Sequence, residues 1–220
     1  MSRFIECCCT SLEEVAEAVA GGAQRIELCE RLDVGGVTPS RSLLEKVISC
    51  CPLPVNVLVR PREGNFVYSE SEKYRMLEDI AMCKEAGANA VVIGALKNDG
   101  SVDVDLMEEL IAAARPLSVT FHRAFDCCSD PLKAVDDIIA LGCDRLLTSG
   151  HELSAYEGRY LLAELVEHAA GRIVIMPGAG IRPSNIALIE KICHAPEYHG
   201  SAHSEHGVTN RSVVSALVGI

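Results

Sequence analysis

The chain has 220 residues, 49% of them hydrophobic and 23% charged, with 31 acidic against 20 basic side chains and a formal net charge of −11. That length suits one domain around one large core, and the composition excludes a disordered or low-complexity chain. The acidic balance argues against nucleic acid as a partner, since binding a phosphate backbone draws on clustered Lys and Arg. The opening MSRFIECCCTSLEEV holds no apolar stretch of signal-peptide or membrane-spanning length, so the expected location is the cytoplasm, away from any membrane.

In chain order, short β-type runs begin at Phe4 (FIECCC), Arg25 (RIELCE), Val55 (VNVLVR), Ala90 (AVVIGAL), Ser118 (SVTFHR), Asp144 (DRLLTS), Arg172 (RIVIMP) and Glu197 (EYHGSA). Between them lie LEEVAEAVA, SLLEKVISC, EKYRMLEDIAMCKEAGA, DLMEELIAAA, PLKAVDDIIALG, YLLAELVEHAA and NIALIEKIC, whose apolar residues recur at helical spacing. Thr38-Pro39 is expected to open the second helix, Ser69 with Glu72 to cap the third, and Asp130-Pro131 to start the fifth; Gly22, Gly87 and Gly142 sit where helices stop. Strict strand-helix alternation over eight units predicts a (β/α)8 TIM barrel, a single domain over 1–220. In such a barrel the function belongs to the loops after the strands, of which PREGNFVYSES is long.

Alternation along strands 1 and 2 sends Ile5, Cys7, Ile26 and Leu28 outward beneath the helices, and Glu6, Cys8, Glu27 and Cys29 inward. Two inward thiols on neighbouring strands come within bridging distance if the register is level, and a soft thiolate pair suits Cu(I); filling the barrel is the plain alternative. The 11 cysteines, seven of them in adjacent runs, are expected to be reduced in a long, core-rich chain. Buried Glu6 and Glu27 need cationic or hydrogen-bonding partners, for which Arg60, Arg62, His122 and Arg123 at the ends of strands 3 and 5 are candidates. One outcome is an internal ion-pair network. The other makes Glu6, Glu27 and His122 acid-base groups, with an anion held by Arg60, Arg62, Arg123, Ser149, Gly178, Gly180 and Ser201. His203 and His206 can be read with His199 as a metal set, although a polar segment of that kind is more often solvated.

The motifs RIELC, VRPREGNFVYS, TFHRAFD, LLTSG and MPGAGI, in this order between about residues 4 and 202, resemble those of the CutC family of copper homeostasis proteins. The resemblance implies a cytoplasmic (β/α)8 barrel that takes Cu(I) through two cysteines matching Cys8 and Cys29. This chain reads Arg-Glu-Gly at 62–64 where members commonly have Arg-Gly-Gly. After strand 8 only TNRSVVSALVGI follows, so the eighth helix is expected to be missing or much reduced, leaving strands 8 and 1 partly uncovered; a homo-oligomer is one remedy. Two functions follow: a Cu(I)-binding copper homeostasis protein, or a barrel enzyme acting on a small phosphorylated or carboxylated metabolite.

Overall fold

The alternation of buried strands with amphipathic helices leaves a parallel sheet as the economical way to cover both faces of each strand. The computed structural model describes residues 2–205 and 207–219. Among these, eight strands alternate with eight α-helices: β1 (Phe4–Cys9), α1 (Leu12–Ala20), β2 (Arg25–Leu28), α2 (Arg41–Cys50), β3 (Val55–Leu58), α3 (Glu70–Ala86), β4 (Ala90–Ile93), α4 (Val104–Ala114), β5 (Ser118–Phe121), α5 (Pro131–Ala140), β6 (Arg145–Thr148), α6 (Arg159–Ala169), β7 (Val174–Pro177), α7 (Ile186–Cys193), β8 (Glu197–Gly200) and α8 (Arg211–Val218). Each strand from β1 to β6 pairs in parallel with the next, and β1 also pairs with β8. β7 lies beside β8 without a ladder, so the ring is a nearly closed (β/α)8 barrel.

The caps explain where the helices begin. Ser69 and Glu72 form the full capping box of α3, Asp130 caps α5 with Pro131 in its first turn, and Gly87 ends α3 in the left-handed conformation at φ 85°. The second helix starts later than Thr38-Pro39 suggests. Ser40 is its N-cap residue, its amide and hydroxyl both donating to Glu30, while the Thr38 hydroxyl donates to the Arg60 carbonyl.

The outward side chains Ile5, Cys7, Cys9, Ile26 and Leu28 join the main core under the helices, whereas Cys8 and Cys29 pack inside the ring with Leu58 and Val92. Cys7 and Cys9 are therefore helix-facing packing residues, as alternation requires.

The eighth helix is short rather than missing. α8 has eight residues, as many as α7; Asn210 caps it, Val214, Leu217 and Val218 are buried, and it packs on α1 and β1. Strand 1 is thus covered by α8. The close approach depends on Gly21 at the end of α1, where an added Cβ would collide with the Val214 side chain and lie 2.7 Å from the Arg211 carbonyl. Glu17 of α1 clamps the same junction by accepting from the Arg211 backbone and guanidinium. Gly21→Ala is therefore expected to destabilise the fold by about 1–3 kcal/mol in urea unfolding, the usual cost of overpacking.

Candidate functional site

Register determines which groups meet inside the ring. Glu6 is level with Arg25 on one side and His199 on the other, and Cys8 is level with Glu27. A carboxylate at that depth needs compensation, and Glu6 has it on both oxygens. Oε2 accepts from Arg25 Nε at 2.5 Å and Asn56 Nδ2 at 2.9 Å, while Oε1 lies 2.8 Å from His199 Nδ1. Arg25 reaches on to Glu197 at 2.5 Å, and Arg145 joins Glu197 at 3.2 Å. Burial alone would raise the Glu6 carboxyl, but the bond from His199 and the Arg25 charge overcome it and hold the group down at about 2. Burial likewise opposes a charge on His199, yet the Glu27 and Glu6 carboxylates outweigh it and lift the imidazole to about 9. Glu27 is raised by burial, with the His199 charge pulling the other way.

These partners differ from the expected ones. Glu6 and Glu27 are matched by Arg25 and His199, because Arg25 stands two residues before Glu27 on the same face of β2 and His199 stands beside Glu6 on β8. Arg60 lies higher, just past β3, where it donates to the carbonyls of Val34, Gly36 and Gly64. Arg62 turns into its own loop, bound to Glu72 and Asn65.

Cys8 and Cys29 stand diagonally rather than level, since Cys8 pairs with Glu27, two positions below Cys29. Strand stagger in a barrel brings such diagonal positions together, and the two sulfurs lie 3.5 Å apart. The hydrogen bond with Cys29, followed by burial, raises the Cys8 thiol well above its ordinary value. Ligand atoms of Cys8, Glu27 and His199 all lie within 4.8 Å of one another, a set able to hold a metal ion. Glu27 Oε2 is buried without a partner.

Above this floor opens a cavity of about 1710 Å3 at the C-terminal ends of the strands. Among the sequence candidates, Cys8, Glu27, Cys29, Arg60, His122, Arg123, Gly180 and Ser201 line it; Glu6, Arg62, Ser149 and Gly178 do not. Glu6 lies beneath the floor, leaving Glu27 and His122 as the acid-base candidates that face the cavity. Arg123 pairs with Asp126 and donates to the Ser149 hydroxyl. His122 accepts the Ala124 amide at Nδ1; burial and the Arg60 charge push it down to about 3, so it is neutral at physiological pH. His203 sits 3.8 Å from Glu14, away from the Cys8 group, and His206 lies outside the described residues.

Fold and floor together define a (β/α)8 barrel with a buried thiol, carboxylate and imidazole cluster beneath its mouth. The CutC family model matches residues 3–204, and the chain belongs to that family. A CutC family protein of Parabacteroides distasonis is 50% identical over 205 residues, covering 93% of this chain and 84% of that one. The human copper homeostasis protein cutC homolog is 47% identical over 201 residues, 91% of this chain and 74% of the relative. A solved CutC structure from Streptococcus agalactiae superposes with TM-score 0.86 at 34% identity, over 91% of this chain and 99% of that one. Phosphoribosylanthranilate isomerase from Thermotoga maritima, at 13% identity and TM-score 0.65 over 99% and 97%, shares the fold alone.

The network makes stability depend on pH from both sides. Glu6, held at about 2 against an ordinary 4.5, contributes stability above pH 4.5 that is lost as pH falls through about 2. His199, held at about 9 against 6.5, contributes below pH 6.5 and loses that contribution as pH rises through about 9; the raised Glu27 adds a loss that begins as pH rises above 4.5. Urea-unfolding free energy is expected to peak near pH 5 and fall towards pH 3 and pH 9, with both slopes flattened in Glu6→Gln. An unchanged profile in that variant would deny Glu6 this role.

Proposed function

We propose that this chain is a cytosolic Cu(I)-binding protein of copper homeostasis that takes the ion through Cys8 and Cys29. The observation that carries the reading is the pair of free thiols 3.5 Å apart at the base of an open cavity, on adjacent strands of a rigid ring. Soft thiolates suit Cu(I), whereas hard cations prefer oxygen. Leu58 and Val92 pack against the two sulfurs, a wall that offers nothing to a hydrated hard ion. The thiols must lose their protons to bind the ion. The Glu27 carboxylate, with one oxygen unpartnered, stands beside Cys8 in the same group of possible ligand atoms. The copper homeostasis in the human relative's name supports the same reading. No helix among the described residues is long and apolar enough to cross a membrane.

An anaerobic Cu(I) titration against a competing chelator tests it. One ion per chain is expected, with affinity falling more than about 100-fold in Cys8→Ser/Cys29→Ser, beyond the 10- to 100-fold that outer groups alone supply. Arg62→Ala, far from the floor, should leave binding unchanged. Full affinity in the double variant would overturn the proposal.

A further inference from the structure

A second feature of the cavity wall stands apart from the thiols. Arg60 is 6% exposed and lines the cavity, yet its charge meets no carboxylate among the described residues. Three of its five N–H groups go to neutral main-chain carbonyls, of Val34 at 3.1 Å and of Gly36 and Gly64 at 2.9 Å each. Its Nε is buried without a partner. Glu63, next to Arg62 in this loop, turns outward to Arg31 at 3.3 Å and does not line the cavity. Buried charges are ordinarily paired, and this one is not.

His122 completes the arrangement. Its ring centroid lies 5.1 Å from that of Phe66, and the Arg60 guanidinium carbon lies 4.9 Å from the same centroid, so the two residues share one aromatic neighbour. Because Nδ1 accepts the Ala124 amide, the proton of the neutral imidazole sits on Nε2. That Nε2–H is buried, 4% of the residue being exposed, and has no partner. Gly94 makes room for the ring, since a Cβ there would lie 2.6 Å from Nδ1. The cavity of about 1710 Å3 far exceeds what one metal ion fills and lies above the usual range for small-molecule sites, roughly 300–1,000 Å3.

We propose that Arg60 and His122 form a subsite, separate from the thiol pair, for the oxyanion group of a small organic molecule, a carboxylate or a phosphate. An oxyanion supplies the charge that Arg60 lacks and accepts from the unused Nε2–H of His122. The subsite stands on β3 and β5 and holds whether or not copper binds between β1 and β2.

The test is side-chain 1H–15N NMR of the histidines, titrated in parallel with malonate and with inorganic phosphate, together with calorimetry. A saturable shift of the His122 Nε2–H resonance is expected with malonate, with phosphate or with both; the arm that responds identifies the group. Affinity should fall about 10- to 100-fold in Arg60→Met, the size of a lost hydrogen bond to a charged partner, and be retained in Cys8→Ser/Cys29→Ser. If Arg60→Met does not fold, His122→Leu followed by calorimetry is expected to show the same loss. No shift in either arm, or equal affinity in the variant that folds, would overturn the proposal.

Discussion

The carboxylate of Glu6, wholly buried at the centre of the ring, is the constraint around which the interior is arranged. Removing one partner of such a group leaves a bare charge and costs about 3–5 kcal/mol, so each of its neighbours is held in place by the others. Arg25 answers it from β2, Asn56 from β3 and His199 from β8, and Asn89 in turn donates to Asn56 at 3.0 Å. Four elements are thus tied together from within by hydrogen bonds to one carboxylate or to its partner. Arg25 extends the chain to Glu197, and Arg145 carries it to β6 and the Ser118 hydroxyl.

The chemistry of the floor follows from that arrangement. Glu6 fixes Nδ1 of His199 and keeps the ring charged, which turns Nε2 towards Glu27 at 3.9 Å. Glu27 is level with Cys8 in the ladder, so the same register that satisfies Glu6 delivers a carboxylate and an imidazolium to the edge of the thiol pair. The upper wall works differently. There Arg60 is held by main-chain carbonyls and the Phe66 ring and, after burial, helps to keep His122 neutral, so one side of the mouth is rich in acceptors and the other in donors.

Much of this was legible in the residues themselves. Eight β-type runs separated by amphipathic segments specify the barrel, and the Ile-Glu-x-Cys pattern of strands 1 and 2 sorts inward from outward side chains because the period of a strand is two. The glutamates' partners were harder to read. The same alternation puts Arg25 on the face of Glu27 and Glu197 on the face of His199, but pairing depends on the register between β1, β2 and β8, which no short-range pattern encodes. The diagonal meeting of Cys8 with Cys29 depends on barrel stagger for the same reason. The final helix was underestimated because TNRSVVSALVGI is short; its capping Asn210 and the apolar Val214, Leu217 and Val218 at helical spacing are the signals that mark it.

The seam between β7 and β8 gives the ring a mechanical character of its own. Seven neighbouring strand pairs are laced by main-chain hydrogen bonds, whereas the eighth is in contact without lacing, and there Gly178 lies beside His199, an added Cβ coming to ordinary van der Waals distance, 3.5 Å, of its Cβ. The barrel is therefore a sprung band with two free ends rather than a welded hoop. Its compliance is concentrated at the joint that carries the imidazole of the floor, where a change of girth separates side chains without breaking a ladder.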